Sequence, residues 1–254
     1  MNIGIVCYPT YGGSGVVATE LGMALAEEGH MVHFITSHQP VKLNFLNKNL
    51  HFHEVFVENY PLFHYQPYNL ALSSKLVESV QKYDIEVLHV HYAIPHAYAA
   101  YMAKQMLKEK GIHIPIVTTL HGTDITLVGS HPVYKPAVEF SINHSDVVTT
   151  VSESLKSDTL RLFDIKKDIE VIYNFIDFEK HANWSQGDCI RESLADPHER
   201  IITHVSNLRP VKRVLDVIRV FEKVQQKVPS KLILVGEGPD KEKADLLAKE
   251  LGVK

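Results

Sequence analysis

The chain has 254 residues, 45% of them hydrophobic and 22% charged, a globular composition that excludes disordered and fibrous classes. A formal net charge of −4 and a pI near 6.5 give no general attraction to nucleic acid or to an anionic membrane. No apolar run reaches membrane-spanning length, the N-terminus carries no basic region or cleavage site, and Cys7 and Cys189 lie far apart, so a cytoplasmic, reducing setting is expected.

In chain order, the pattern predicts a strand over 3–7, a Gly-rich turn, and a helix over 16–28 closed by Gly29. Strands follow at 31–36 and 51–57, then an aromatic, Pro-broken loop at 60–68. Next come a helix at 70–83, a strand at 87–91, a helix at 95–110 and a strand at 114–120. Residues 146–151 read as a strand, with Ser152 or Ser154 suited to cap the following helix, and 169–173 as another. The alternation means a parallel sheet wrapped by helices, a Rossmann-like domain over 1–177. Residues 178–199, with Trp184, Gly187 and Pro197, read as a connection. A second α/β unit occupies 200–254, with strands at 201–206 and 231–235 and helices at 214–228 and 240–251. Two β-α units do not cover both faces of a parallel sheet, so this second domain is expected to be truncated.

Five segments carry chemistry. Tyr11-Gly-Gly-Ser-Gly-Val-Val-Ala18 lies between strand and helix, where glycines admit a ligand and helix N–H groups favour an anion. Gly13-x-Gly15-x-x-Ala18 matches a dinucleotide fingerprint, yet the turn is long and the second strand ends in Thr36-Ser37-His38 without an acidic residue for a ribose, which disfavours an NAD oxidoreductase. His121-Gly-Thr-Asp124 follows an apolar strand, placed either to hydrogen-bond a sugar or phosphate or to cap the strand as a pair. His89-Val-His91-Tyr92 puts two imidazoles on one strand face, but no carboxylate or cysteine supports a metal, and the chain has no Asp-x-Asp; no metal is expected. Ser206-Asn-Leu-Arg-Pro-Val-Lys-Arg213 groups Arg209, Lys212 and Arg213 at a strand end, which suits a diphosphate. Gly236-Glu-Gly-Pro239 is a close turn, either near the same ligand or purely structural.

Together with Tyr173-Asn-Phe-Ile-Asp177, these segments resemble the family 4 retaining glycosyltransferases. Cys7-Tyr-Pro9, His89-Val-His-Tyr-Ala-Ile-Pro-His96 and Thr118-Thr-Leu-His-Gly-Thr-Asp124 resemble its malate-glycosylating members, which serve bacillithiol biosynthesis. The resemblance implies a GT-B fold, two Rossmann-like domains facing a cleft. It implies a hexosyltransferase that moves N-acetylglucosamine from UDP-N-acetylglucosamine to the hydroxyl of L-malate with retention, and no cofactor. Carried over, His121 and Lys212 are the catalytic pair. Gly13, Gly15, Asn207, Arg209, Lys212, Arg213 and Gly236 hold the donor, and Ser14, Tyr92, Thr119 and Asn207 the acceptor. Lys135 and Arg209 both remain candidates for the malate carboxylates.

Two departures qualify the resemblance. Asn207 stands where the wider family commonly has Arg, though malate-glycosylating members share the Asn. A Glu-x7-Glu segment that grips the donor ribose and sugar is absent, so this chain by itself is expected to be inactive or nearly so. The alternatives are another enzyme on the same scaffold, such as a UDP-N-acetylglucosamine 2-epimerase, or a non-catalytic nucleotide-sugar-binding fragment. Partners are expected to be small molecules, with no nucleic acid and no stable membrane insertion. A homo-oligomer is left open.

Overall fold

The computed structural model describes residues 1–43, 46–58, 65–178 and 190–253. Cys189, Trp184, Gly187 and part of the aromatic loop lie outside the described residues. The chain divides into two compact units, Met1–Ile176 and Asp177–Lys254.

In the first unit seven strands pair in parallel: β1 (Asn2–Val6), β2 (Met31–Thr36), β3 (Leu50–Glu54), β4 (Val87–His91), β5 (Ile116–Leu120), β6 (Val147–Thr150) and β7 (Ile169–Val171). Their order is β3-β2-β1-β4-β5-β6-β7. The chain therefore runs outward in one direction from β1 and then restarts beside it at β4. That reversal opens a crevice at the carboxyl ends of β1 and β4, where ligands bind in such sheets. Register across this region pairs Ile5 with His89 and His91 with Thr119.

Helix α1 (Gly13–Glu27) packs Ala18 and Ala26 on Ile3, Ile5, Val32 and Phe34 on one sheet face. On the other face, α2 (Tyr68–Tyr83) and α3 (Tyr98–Lys108) bury Leu72, Leu76, Ala100 and Leu107 against Val6, Ile35, Leu88 and Val90. Helices α4 (Lys135–His144) and α5 (Glu153–Leu162) extend the core through Val138, Ile142 and Leu155. Burial of this apolar area, at roughly 25 cal/mol per Å², is the main force holding the unit together.

Most sequence expectations hold, β2 and β4 to the residue, and Ser152 caps α5 by accepting the Leu155 N–H at 3.2 Å. Three need correction. The strand expected at 51–57 covers Leu50–Glu54, because its partner β2 ends at Thr36 and the last bond is Val55 N–H to the Thr36 carbonyl, 2.8 Å. The helix expected at 95–110 starts at Tyr98, after an irregular wide turn over Ala93–Ala97. Helix α4 was not expected; Pro136 in its first turn and buried Val138, Ser141 and Ile142 on one side account for it.

In the second unit, β8 (Arg200–Val205) and β9 (Ser230–Val235) pair in parallel. A short turn of helix, α6 (Arg191–Leu194), precedes them. Helices α7 (Val214–Gln225) and α8 (Lys241–Glu250) bury Val214, Ile218 and Ala244 with Leu208 and the partly buried Leu232 and Leu234. Among the described residues, no helix is long and apolar enough to cross a membrane.

Candidate active site

The turn after β1 delivers the chain into α1 at Gly12, leaving the first-turn N–H groups of Gly13, Ser14 and Gly15 without acceptors inside the helix. No acidic side chain stands in that turn, so the positive end of the helix dipole is not neutralised. The glycines differ in what they do. A Cβ on Gly15 would lie 2.4 Å from the Tyr8 carbonyl oxygen and 2.6 Å from that of Thr10, so Gly15 lets the helix close on the turn. A Cβ on Gly13 would meet nothing within 4 Å, which leaves that backbone open to a ligand.

Tyr92 directly follows β4 with φ 86°, a left-handed conformation that costs a tyrosine about 1–3 kcal/mol and persists only where neighbours enforce it. Here its N–H donates to the Thr119 carbonyl at 2.9 Å. The phenol hydroxyl is 2.8 Å from Ser14 Oγ and 3.3 Å from Thr123 Oγ1, and Tyr8 packs edge-on at 5.2 Å. Three hydroxyls from three elements thus meet beside the α1 N-terminus.

After β5, Asp124 is only 2% exposed. Its carboxylate accepts the N–H groups of Ala93 at 3.0 Å, His121 at 3.2 Å and Gly122 at 3.0 Å. Burial raises its pKa, and these amides pull the other way. Of the two readings of His121-Gly-Thr-Asp124, Asp124 takes the structural one: it staples the loops after β4 and β5. His121 remains partly exposed, with Nε2 2.8 Å from His91 Nδ1 and its ring 5.3 Å from Tyr92. Burial lowers the pKa of His121, His89 and His96 to about 4 and that of His91 well below the ordinary value, so all four imidazoles are neutral at pH 7.

Thr119 Oγ1 is already engaged, 2.8 Å from both His89 Nε2 and Thr149 Oγ1. The Cys7 thiol is buried and its pKa is pushed up to about 12, which makes it inert. Among the described residues, no three His, Cys, Asp or Glu side chains are grouped as a metal would need.

In the second unit, the loop after β8 carries Asn207, Arg209, Lys212 and Arg213, all exposed. Arg213 lies in the left-handed region at φ 51°, and its Nε donates to Asp216 Oδ2 at 2.6 Å, which holds that carboxyl below the usual range. Arg209 and Lys212 have no such partner among the described residues. Gly236, at φ 130°, would place a Cβ 1.9 Å from the Ser206 carbonyl oxygen, and Gly238 one 2.0 Å from that of Asn207. The Gly236-Glu-Gly turn therefore abuts the backbone of the basic loop and fixes its shape.

The first unit thus brings together Gly13, Ser14, Gly15, Tyr92 and His121, and the second gathers Asn207, Arg209, Lys212, Arg213 and Gly236. Lys135 lies on α4, 3.8 Å from Glu139. Sequence reasoning passed over Thr123, which joins the hydroxyl cluster, and weighed His91 only as a metal ligand. The available signal was the parallel register, which sets the ends of β4 and β5 side by side.

This arrangement has relatives. Residues 11–180 match the profile of Glycosyltransferase Family 4, and residues 187–254 that of Glycosyl transferases group 1. The chain is 51% identical over 240 residues to the N-acetyl-alpha-D-glucosaminyl L-malate synthase of Bacillus anthracis, covering 94% of this chain and 62% of the relative. Among solved structures, Anabaena Alr3699/HepE in complex with UDP and glucose superposes with TM-score 0.74 at 15% identity, over 100% of this chain and 67% of that one. Sucrose-phosphate synthase from Thermosynechococcus elongatus does so with TM-score 0.73 at 14% identity, over 100% and 68%. These neighbours confirm the GT-B fold class. The match over most of the first unit, continued by the group 1 match through the second, makes this chain a member of glycosyltransferase family 4.

Proposed function

We propose that the protein is a retaining hexosyltransferase that moves N-acetylglucosamine from UDP-N-acetylglucosamine to the hydroxyl of L-malate, the first step of bacillithiol biosynthesis, in the cytoplasm. The observation that carries this reading is the 51% identity to the Bacillus anthracis malate synthase across 94% of the chain. The chemistry of the two units supports it.

Lys212 and Arg209, exposed and without ion-pair partners among the described residues, are suited to a diphosphate leaving group. Arg213 contributes less, because Asp216 already engages it. The bare N–H groups of Gly13 to Gly15 suit a second anion, a phosphate or a malate carboxylate. Ser14, Tyr92 and Thr123 offer neutral donors and acceptors for the acceptor substrate. His121, held neutral, contacts the transferred sugar by hydrogen bonding rather than by charge.

In the reaction, the anomeric carbon breaks its bond to the diphosphate oxygen and forms one to the malate hydroxyl oxygen on the same face. The hydroxyl proton passes to an oxygen of the departing diphosphate. No side-chain base and no metal take part; positioning and electrostatics supply the rate. Asn207 is assigned to the acceptor by family resemblance, and Gly236 holds the basic loop in shape. Because the chain spans 62% of the relative's length, the assay uses this chain and a version extended by the part of the relative beyond the alignment. Incubation of UDP-N-acetylglucosamine with a panel of hydroxy acids and inositol phosphate, read by mass spectrometry, gives N-acetylglucosaminyl malate. Selective glycosylation of another acceptor, or recovery of an epimerised nucleotide sugar alone, rules the proposal out.

A further inference from the structure

His91 lies at the end of β4 and is 1% exposed. Its ring has two hydrogen-bonding atoms and one partner: Nδ1 is 2.8 Å from His121 Nε2, while Nε2 is buried with no partner. The ring stacks on His89 at 4.6 Å and His121 at 5.1 Å. Its backbone is fixed as well, since His96 Nδ1–H donates to the His91 carbonyl at 2.6 Å and Tyr92 N–H to that of Thr119.

Two neutral arrangements satisfy the His91–His121 bond. In the first, His121 Nε2–H donates to His91 Nδ1. His91 then carries its own hydrogen on Nε2, a buried N–H with nothing to receive it, and His121 keeps a bare Nδ1. In the second, His91 Nδ1–H donates to His121 Nε2. The unpartnered atom of His91 is then only a lone pair, and His121 must carry its hydrogen on Nδ1. Orphaned buried N–H groups are rarer in folded proteins than under-used acceptors, because an unpaired buried donor bears its full desolvation cost. The second arrangement wins. In either, the hydrogen bond at one ring nitrogen decides what the other presents.

The geometry points to His91 as a positioning residue that locks His121 in the Nδ1–H form, so that His121 meets the substrate as a hydrogen-bond donor. The matching feature on the substrate is an oxygen lone pair, from a sugar hydroxyl or a phosphate. A group able only to donate is not accommodated there. This inference rests on the reading of His121 as a sugar-contacting residue, and its first readout is independent of turnover.

The test is long-range proton–nitrogen NMR of the [15N]histidine-labelled chain at pH 7.5, with the His121 signals identified by their loss in His121→Ala. His121 is expected as a single Nδ1–H tautomer. In His91→Phe, which has no donor, it becomes a mixture of tautomers; in His91→Asn, whose amide NH₂ stands near the place of Nδ1–H, it reverts to Nδ1–H. In the extended protein, kcat with UDP-N-acetylglucosamine and malate falls about 5- to 10-fold for His91→Phe, the effect of one misdirected hydrogen bond. It recovers to within about 3-fold for His91→Asn, with little change in donor KM. Finding His121 as Nε2–H in the unaltered chain overturns the inference, as does an undisturbed Nδ1–H tautomer in His91→Phe. Absence of malate transfer alongside the expected tautomers removes the proposed function and leaves the lock standing.

Discussion

The two units handle polarity in opposite ways. In the first, the groups at the strand ends are bound to one another, neutral side chains to neutral side chains (Ser14 to Tyr92, Tyr92 to Thr123, His91 to His121) and the Asp124 carboxylate to three backbone amides. In the second, the polar groups are cations in solvent, and what is fixed is the backbone beneath them, through Gly236 and Gly238 abutting Ser206 and Asn207. The cluster of the first unit is organised by side chains and the basic loop of the second by main chain. Under the proposed function, hydroxyls and imidazoles of the first kind orient an acceptor through hydrogen bonds, and exposed cations of the second kind offer charge to a diphosphate whose negative charge grows as the bond breaks.

This contrast can be broken by substitution, and the largest effect belongs to Lys212. Lys212→Ala lowers turnover of the extended protein about 100- to 1,000-fold, or ~2.7–4 kcal/mol of lost transition-state stabilisation. Its urea midpoint stays where it was, because an exposed, unpaired lysine contributes little to folding. Loss of stability with retained turnover would reverse the roles given to the two units.

Gly236→Ala comes next. A Cβ 1.9 Å from the Ser206 carbonyl, at φ 130°, has no room and a disfavoured backbone, so urea unfolding shows a loss of about 2–3 kcal/mol. An unchanged midpoint would mean that the turn does not hold the basic loop.

Acid sharpens the comparison from the other side. Folded His96 and His121 resist protonation down to about 4, against an ordinary value of 6.5, while the unfolded chain takes up protons below 6.5. The unfolded state then binds more protons, so stability is full above pH 6.5 and is lost as pH falls towards 4. The fully buried His96 accounts for on the order of 1–3 kcal/mol of that loss. Urea titrations at pH 7.5, 6 and 5 check the sign, and stability constant or rising on acidification would contradict it. The smallest effect is that of Tyr92→Phe, which deletes one hydroxyl from the cluster and lowers kcat/KM for malate about 5- to 10-fold, a hydrogen bond's worth. An unaltered value would take Tyr92 out of the acceptor-binding residues.

Much of the fold was legible, because alternating apolar runs with clear stops do not depend on distant partners. Met31–Thr36 and Val87–His91 were read to the residue, and Ser152 was one of two serines, with Ser154, marked as a cap from type and place alone. Helix α4 escaped notice because a Pro-containing, mixed segment shows its buried side only through Val138, Ser141 and Ile142. In the site, residue types were legible and their partners were not. Nothing local to His121-Gly-Thr-Asp124 says that Asp124 holds the amide of Ala93, 31 residues away, or that Tyr92 adopts a positive φ. Nor does a glycine pair announce that the backbone of Ser206 and Asn207 presses against it. Those facts arise from strand register and loop packing, which join segments far apart in the chain.

The central claim is that sugar leaves the nucleotide only when malate is there to receive it, and UDP release by the extended protein, followed with and without L-malate, tests it most directly. Release is expected to be slow with the donor alone and to rise steeply and saturably on adding malate. Equal release in both conditions would contradict it.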